Sequence, residues 1–215
     1  MIVHILNTIT AADTVTVVTH RVATSWPWYI IRAAGFISAG LLVLLMLSGI
    51  GQVTGIIYRW IEPIKVWAIH KAIALALVVA IIIHVSFLLI DHFVPFNIVQ
   101  ILVPFASHYN NGTKLLGIPL GGIAVTLGIL AMYCVFILVL TSLGWIDTHK
   151  KTWRKLHYLS YVVAGFVLVH ALYVGTDLKY GLFRESWIAL GGLVFIAVIA
   201  RLWRADTVPK NSKDE

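Results

Sequence analysis

Four histidines lie within long apolar stretches of the chain. His70 and His84 are 14 residues apart in one stretch, and His157 and His170 are 13 residues apart in another. At about 1.5 Å of rise per helical residue, these spacings correspond to about 21 Å and about 19.5 Å. An imidazole inside a membrane needs a partner, and neutral imidazoles are ordinary axial ligands of haem iron. The pattern predicts two levels, with His70 paired with His157 and His84 with His170, and haem b at each.

The two spacings differ in how well they suit an ideal helix. Fourteen positions return to within about 40° of the same face, whereas thirteen leave the two side chains about 140° apart. The segment that carries His157 and His170 therefore needs a bend or a local distortion, which we place near Gly165. Two haems are predicted, with a single haem as the alternative.

The elements that must position these histidines are membrane helices. Hydrophobic residues make up 60% of the 215 residues and charged residues only 12%, against roughly 25% charged residues in soluble domains. About 20 apolar residues cross a bilayer as a helix, and no run alternates like a barrel strand. We therefore predict an all-α integral membrane protein, a bundle of about five transmembrane helices with haem held between two of them. The predicted spans are Trp28–Ile50, Val66–Ile90, Leu115–Leu143, Leu156–Val174 and Ser186–Trp203.

The distribution of basic residues predicts the orientation of these spans. The loop over residues 144–155 carries four bases, and such short loops remain in the cytoplasm. This places the C-terminal tail, residues 204–215, in the cytoplasm and the N-terminal segment, residues 1–27, outside a multi-pass cell-membrane domain of residues 28–203. The net charge of +7 gathers at span ends rather than in one stripe, so a nucleic-acid partner is not predicted.

Several basic residues near the span ends are candidates for pairing with anionic haem propionates. At the cytoplasmic level these are Lys71, Arg154 and Lys155; at the outer level they are Arg32 and Lys179. The simpler interpretation, that these cations set topology or extend to the headgroup layer, stays open for each.

The order of these residues resembles the ferric reductase-like transmembrane domain family. The resemblance rests on His70 and His84, on Thr141-Ser142 followed by Trp153-Arg-Lys-Leu-His-Tyr158, and on His170. Shorter similarities are Arg32–Gly35, Val103–Ser107 and Gly175–Asp177. The family includes the membrane parts of ferric reductases and NADPH oxidases and the haem subunit of a bacterial methionine sulfoxide reductase system. The resemblance implies haem b held between paired histidines of two helices, with the same 13-residue spacing in the second helix.

These observations lead to an expected function and to two alternatives. We expect electrons to enter at the cytoplasmic side from a separate donor, a flavoprotein or a quinol, and to leave to an acceptor outside, because no flavin or NADPH module is visible. The first alternative is a quinol-linked cytochrome b anchor for a soluble redox partner. The second is a haem-free membrane carrier of metal ions or protons. Zinc and di-iron sites fit less well, because they need ligands one turn apart or added carboxylates or thiolates.

Overall fold

The protein is a bundle of long helices joined by short connections. A computed structural model describes residues 11–110, 112–115 and 118–207. Single turns of 3₁₀-helix cover Ile56–Arg59 and Thr176–Leu178, and a two-residue antiparallel pair joins Lys114–Leu115 to Ile118–Pro119. The α-helices are α1 Ala11–Thr54, α2 Pro63–Leu88, α3 Ile98–Leu102, α4 Leu120–Gly144, α5 Lys150–His157, α6 Leu159–Val174 and α7 Leu182–Thr207.

In the part of the chain that the structure describes, five segments are long and apolar enough to cross a membrane, as predicted. They are Ser25–Thr54, Pro63–Leu88, Leu120–Gly144, Lys150–Val174 and Leu182–Trp203. Only a minority of their apolar side chains are buried, and many are exposed on the bundle surface, which is where lipid tails would cover them. The all-α, five-span membrane architecture is therefore confirmed.

The helix boundaries differ from the predicted spans where local chemistry decides them. Helix α1 runs through residue 27, the predicted edge of the N-terminal segment, and ends before Gly55, whose φ of 73° provides a left-handed stop. Helix α2 begins earlier than predicted, because Pro63 suits the first helical turn. Helix α4 begins at Leu120 rather than residue 115, because the short strand pair occupies the preceding residues.

The core of the bundle joins four of the five spans. Helix α1 packs along α2, α4 packs along α6, and α7 lies against α1 and α6. The central buried cluster contains residues from α1, α2, α4 and α6 and lies between the two histidine levels. Its members are Leu42, Leu77, Ala131, Val135, Leu138 and Val163.

The fourth span is interrupted next to one of its histidines. Helix α5 ends at His157 and α6 begins at Leu159, and the backbone between them makes i→i+3 bonds from Tyr158 N to Lys155 O (3.3 Å) and from Tyr161 N to Tyr158 O (3.1 Å). A 3₁₀ step turns about 120° per residue instead of about 100°, which brings His157 and His170 closer to a common face. The distortion that the 13-residue spacing requires is present, but it lies at Tyr158; Gly165 is inside α6.

Candidate cofactor site

His84 of α2 and His170 of α6 line one cavity between the helices. The cavity has a volume of about 270 Å³ and an almost wholly apolar wall that α1 and α4 complete. This volume is near the lower end of the range typical of small-molecule sites. The same wall does not include His70 or His157. We call this end of the bundle, with His84 and His170, the cavity end, and the end with Arg59 and the loop over residues 144–155 the basic end.

Backbone carbonyl groups orient both cavity histidines. His84 Nδ1 is 2.9 Å from the carbonyl oxygen of Ile31, and His170 Nδ1 is 2.8 Å from that of Ala124. A carbonyl oxygen can only accept, so Nδ1–H is the donor in each bond and Nε2 keeps its lone pair. This tautomer, fixed by a second hydrogen bond, is the usual form of a metal-ligating histidine.

His70 is held in the same way, by a side chain. Its Nδ1 is 2.8 Å from Ser48 Oγ, and that hydroxyl donates to the carbonyl oxygen of Leu45 at 3.0 Å. The serine oxygen therefore accepts from Nδ1–H, and Nε2 of His70 is again free to accept or ligate.

His157 is positioned mainly by an aromatic neighbour. Its ring packs on Trp153 with centroids 5.0 Å apart, and Trp153 Nε1 donates to Ser142 Oγ of α4 at 3.0 Å. Its Nδ1 is buried without a hydrogen-bond partner among the described residues. The imidazoles of His70 and His157 are close enough to interact electrostatically, and so are those of His84 and His170. His84 and His170 therefore share one cavity, and His70 and His157 lie near each other; that each pair holds a cofactor stays a prediction.

Three glycines that sequence reasoning missed make room for the imidazoles. A Cβ on Gly35 would lie 3.3 Å from His84 Cε1, and one on Gly49 would lie 3.5 Å from His70 Cε1. A Cβ on Gly128 would lie only 2.6 Å from Cε1 of His170. The first two glycines are 14 residues apart on α1, the spacing of the histidines that they face on antiparallel α2; this repeated spacing is the signal that could have revealed them.

An ion pair closes one side of the cavity. Arg32 of α1 donates through Nε to Asp177 Oδ2 at 2.6 Å and through Nη2 to Asp177 Oδ1, and its guanidinium lies 4.0 Å over the Trp28 ring. Both charged residues line the cavity, as do the buried Asp91 and the partly buried Tyr109. Burial raises the pKa of the Tyr109 phenol, so it remains a neutral donor at neutral pH. Asp177 was not singled out from the sequence as a charged partner of Arg32.

The ion pair predicts measurable coupling between α1 and the connection after α6. Arg32 and Asp177 are partly buried and share two hydrogen bonds, so a double-mutant cycle with Arg32→Gln and Asp177→Asn should give a coupling free energy of about 1–2 kcal/mol. Lys65 and Glu62 form an exposed pair, at 3.1 Å, and provide the matched control, expected below about 1 kcal/mol. The measurement is the free energy of unfolding in mixed detergent micelles. Equal coupling in the two cycles would contradict a structural role for the first pair.

The other predicted basic residues are exposed and do not line the cavity. Lys71, Arg154 and Lys155 are exposed, and Lys71 Nζ lies 5.4 Å over the Trp67 ring. Lys179 is exposed and outside the wall of the cavity. Of the five candidates, only Arg32 reaches the cavity.

Comparison with known proteins identifies related sequences at the level of a family. Residues 34–169 match the model of a family described as "Ferric reductase like transmembrane component". The matched region includes His70, His84 and His157 and ends one residue before His170; Arg32 and Asp177 lie outside it. Comparisons with curated proteins and with solved structures found no match.

Proposed function

Because the chain belongs to the family of ferric reductase-like transmembrane components, we propose that it is the electron-transferring membrane component of an oxidoreductase. Its two histidine pairs hold haem b, His84 with His170 and His70 with His157. The group would supply a one-electron redox couple inside the bilayer. The observation that carries the proposal is that His84 and His170 line one cavity, each with Nδ1 bonded to a carbonyl oxygen and Nε2 left free.

The residues around the cavity fit a macrocycle better than a free metal ion. The donor set at each level is two imidazoles, which completes the axial coordination of haem iron but leaves a bare zinc ion short of ligands. The apolar wall, to which α1, α2, α4, α6 and Trp187 of α7 contribute, suits a flat hydrophobic ring. Arg32 is the arginine of this wall; because its Nε and Nη2 already bond Asp177, an anionic substituent there would share the guanidinium with that carboxylate.

The protein orients the histidines, keeps water from the space between the two pairs, and presents one end of the bundle to a donor and the other to an acceptor. The backbone and serine partners keep His84, His170 and His70 oriented. The buried layer around Leu77 and Val163 separates the two pairs and keeps water out of the bundle centre. With the basic end in the cytoplasm, the proposal places a separate flavoprotein or quinol donor there and an acceptor beyond the cavity end.

A spectrum of the purified protein tests this proposal. Dithionite-reduced minus oxidised difference spectra with pyridine haemochrome quantitation should give about two haems b per chain. A liposome with entrapped reductant and an impermeant external acceptor should then oxidise the reductant only when the protein is present. Addition of a quinol or of a reduced flavin, in separate samples, identifies the class of donor. Protein without a Soret band would contradict the proposal and favour a haem-free carrier.

A further inference from the structure

Arg201 is a partly buried cation that contacts no anion among the side chains that the structure describes. It lies in α7, two residues before the end of the apolar span Leu182–Trp203. Its Nη2 donates to the phenol oxygen of Tyr158 at 3.3 Å, while Nε and Nη1 are buried and have no hydrogen-bond partner among the described residues. An ionised group in a membrane span usually faces the protein interior and has a functional partner.

Aromatic rings surround the same guanidinium. Its central carbon lies 4.9 Å from the ring centroid of Tyr158 and 5.6 Å from that of Tyr161. Tyr158 is the next residue after His157 and forms the break between α5 and α6. The α7 cation is therefore anchored on the short segment that positions the histidine of the basic-end pair.

Among the side chains that the structure describes, none supplies an acceptor for the two unpaired nitrogens. The carboxylates whose side chains the structure describes either pair elsewhere, as Asp177 and Glu62 do, or do not contact Arg201. Burying unpaired guanidinium donors is costly, and a carboxylate or phosphate, with two oxygens, matches the planar fork of arginine. Both nitrogens are buried by protein rather than on the lipid-facing surface, which favours an anion from inside the bundle over a lipid headgroup.

We infer that Arg201 is the anchor for a propionate carboxylate of the haem held by His70 and His157. This role rests on the proposed function. It assigns to Arg201 of α7 the pairing with a propionate that the sequence suggested for Lys71, Arg154 and Lys155, all of which are exposed. Arg201 lies outside the region that matches the family model, residues 34–169. It is a positioning residue that holds the ring edge and raises the reduction potential through its positive charge.

The test uses a protein that retains only the basic-end haem. In a His84→Ala background, Arg201→Gln should lower the midpoint potential of the remaining haem and speed its transfer to apomyoglobin by about tenfold or more. Arg59→Gln removes an exposed arginine from the same end and should change neither quantity. Arg201→Lys, which keeps the charge but not the fork, should give an intermediate transfer rate. If Arg201→Gln does not accumulate, the midpoint potential and transfer rate are instead measured in Arg201→Lys and in Tyr158→Phe, which removes the phenol oxygen that accepts from Arg201.

The outcomes separate this inference from the proposed function. A wild-type protein without haem would remove the proposed function itself. If the wild type binds two haems but Arg201→Gln changes neither the midpoint potential nor the transfer rate of the basic-end haem, only the inference is overturned. The inference would also be overturned if Arg154→Gln, and not Arg201→Gln, lowered the midpoint potential of the basic-end haem. A third contrary result is that Arg201→Gln loses only a co-purified anionic lipid, as measured by native mass spectrometry.

Discussion

Replacing His170 by alanine is expected to reduce the haem content from about two haems b per chain to about one. His170 shares the cavity with His84, so His84→Ala should remove the same haem. His70→Ala and His157→Ala should each remove the other one. The measurement is pyridine haemochrome quantitation together with the low-spin bands of the oxidised protein. His92→Ala is the matched control, because His92 is exposed and outside the cavity wall.

Combining these replacements tests the pairing directly. His84→Ala with His170→Ala lies within one pair, so the double variant should lose no more haem than either single variant. His84→Ala with His157→Ala affects both pairs, so this double variant should lose both haems. A cross-pair variant that still binds one haem, or a within-pair variant that binds none, would contradict the assignment of His70 to His157 and of His84 to His170. Wild-type protein with one haem would instead support the single-haem alternative.

The membrane architecture could be predicted because it depends on composition and length alone. Five apolar runs appear in the sequence, and the described residues contain five candidate spans. The pairing of the histidines stays a prediction; it follows from similar axial rises in two helices that run in the same direction, which put side chains at matching depths. The boundaries at Pro63 and Leu120 depend on local backbone chemistry and differ from the predicted ones by several residues.

The position of the distortion in the fourth span could not be obtained from residue type. Glycine suggested a weak point at Gly165, but that residue lies deep in an apolar helix, where backbone groups have no alternative partner to their helical bonds. The break occurs at Tyr158, next to the basic loop, where loosened backbone groups are nearer to water and polar side chains. The requirement for a bend follows from helix arithmetic, whereas its place depends on depth in the membrane.

The contacts of the charged residues could not be predicted because they connect residues that are far apart in the sequence. Arg32 and Asp177 are 145 residues apart, and a single sequence carries no signal that relates them. In the sequence, Arg201 looks like an ordinary cation at the end of a span. Only the packing of α7 against α6 shows that two of its nitrogens are buried. In each case the residue type was visible and its partner was not.

Gly128→Ala is expected to release the haem of the cavity pair, although it adds a single methyl group. One turn of α4 provides both the carbonyl oxygen of Ala124 that accepts from His170 Nδ1 and the gap at Gly128 that the ring occupies. A Cβ in that gap would lie 2.6 Å from Cε1 and 3.1 Å from Cγ of His170, so the ring must move away from its acceptor. The expected result is one haem per chain, or loss of its low-spin spectrum, by the measurement used for His170→Ala.

A graded series distinguishes this steric cause from general damage to the bundle. Gly35→Ala, with 3.3 Å to the His84 ring, should weaken the cavity haem mildly, and Gly49→Ala, with 3.5 Å to His70, should be close to neutral. Gly165→Ala meets nothing within 4 Å and is the control. Alanine favours a helix over glycine by about 1 kcal/mol, so haem loss in Gly128→Ala alone cannot come from helix propensity. Equal haem content across the four variants would show that His170 is free to shift, and that the carbonyl bond does not hold it in place for iron.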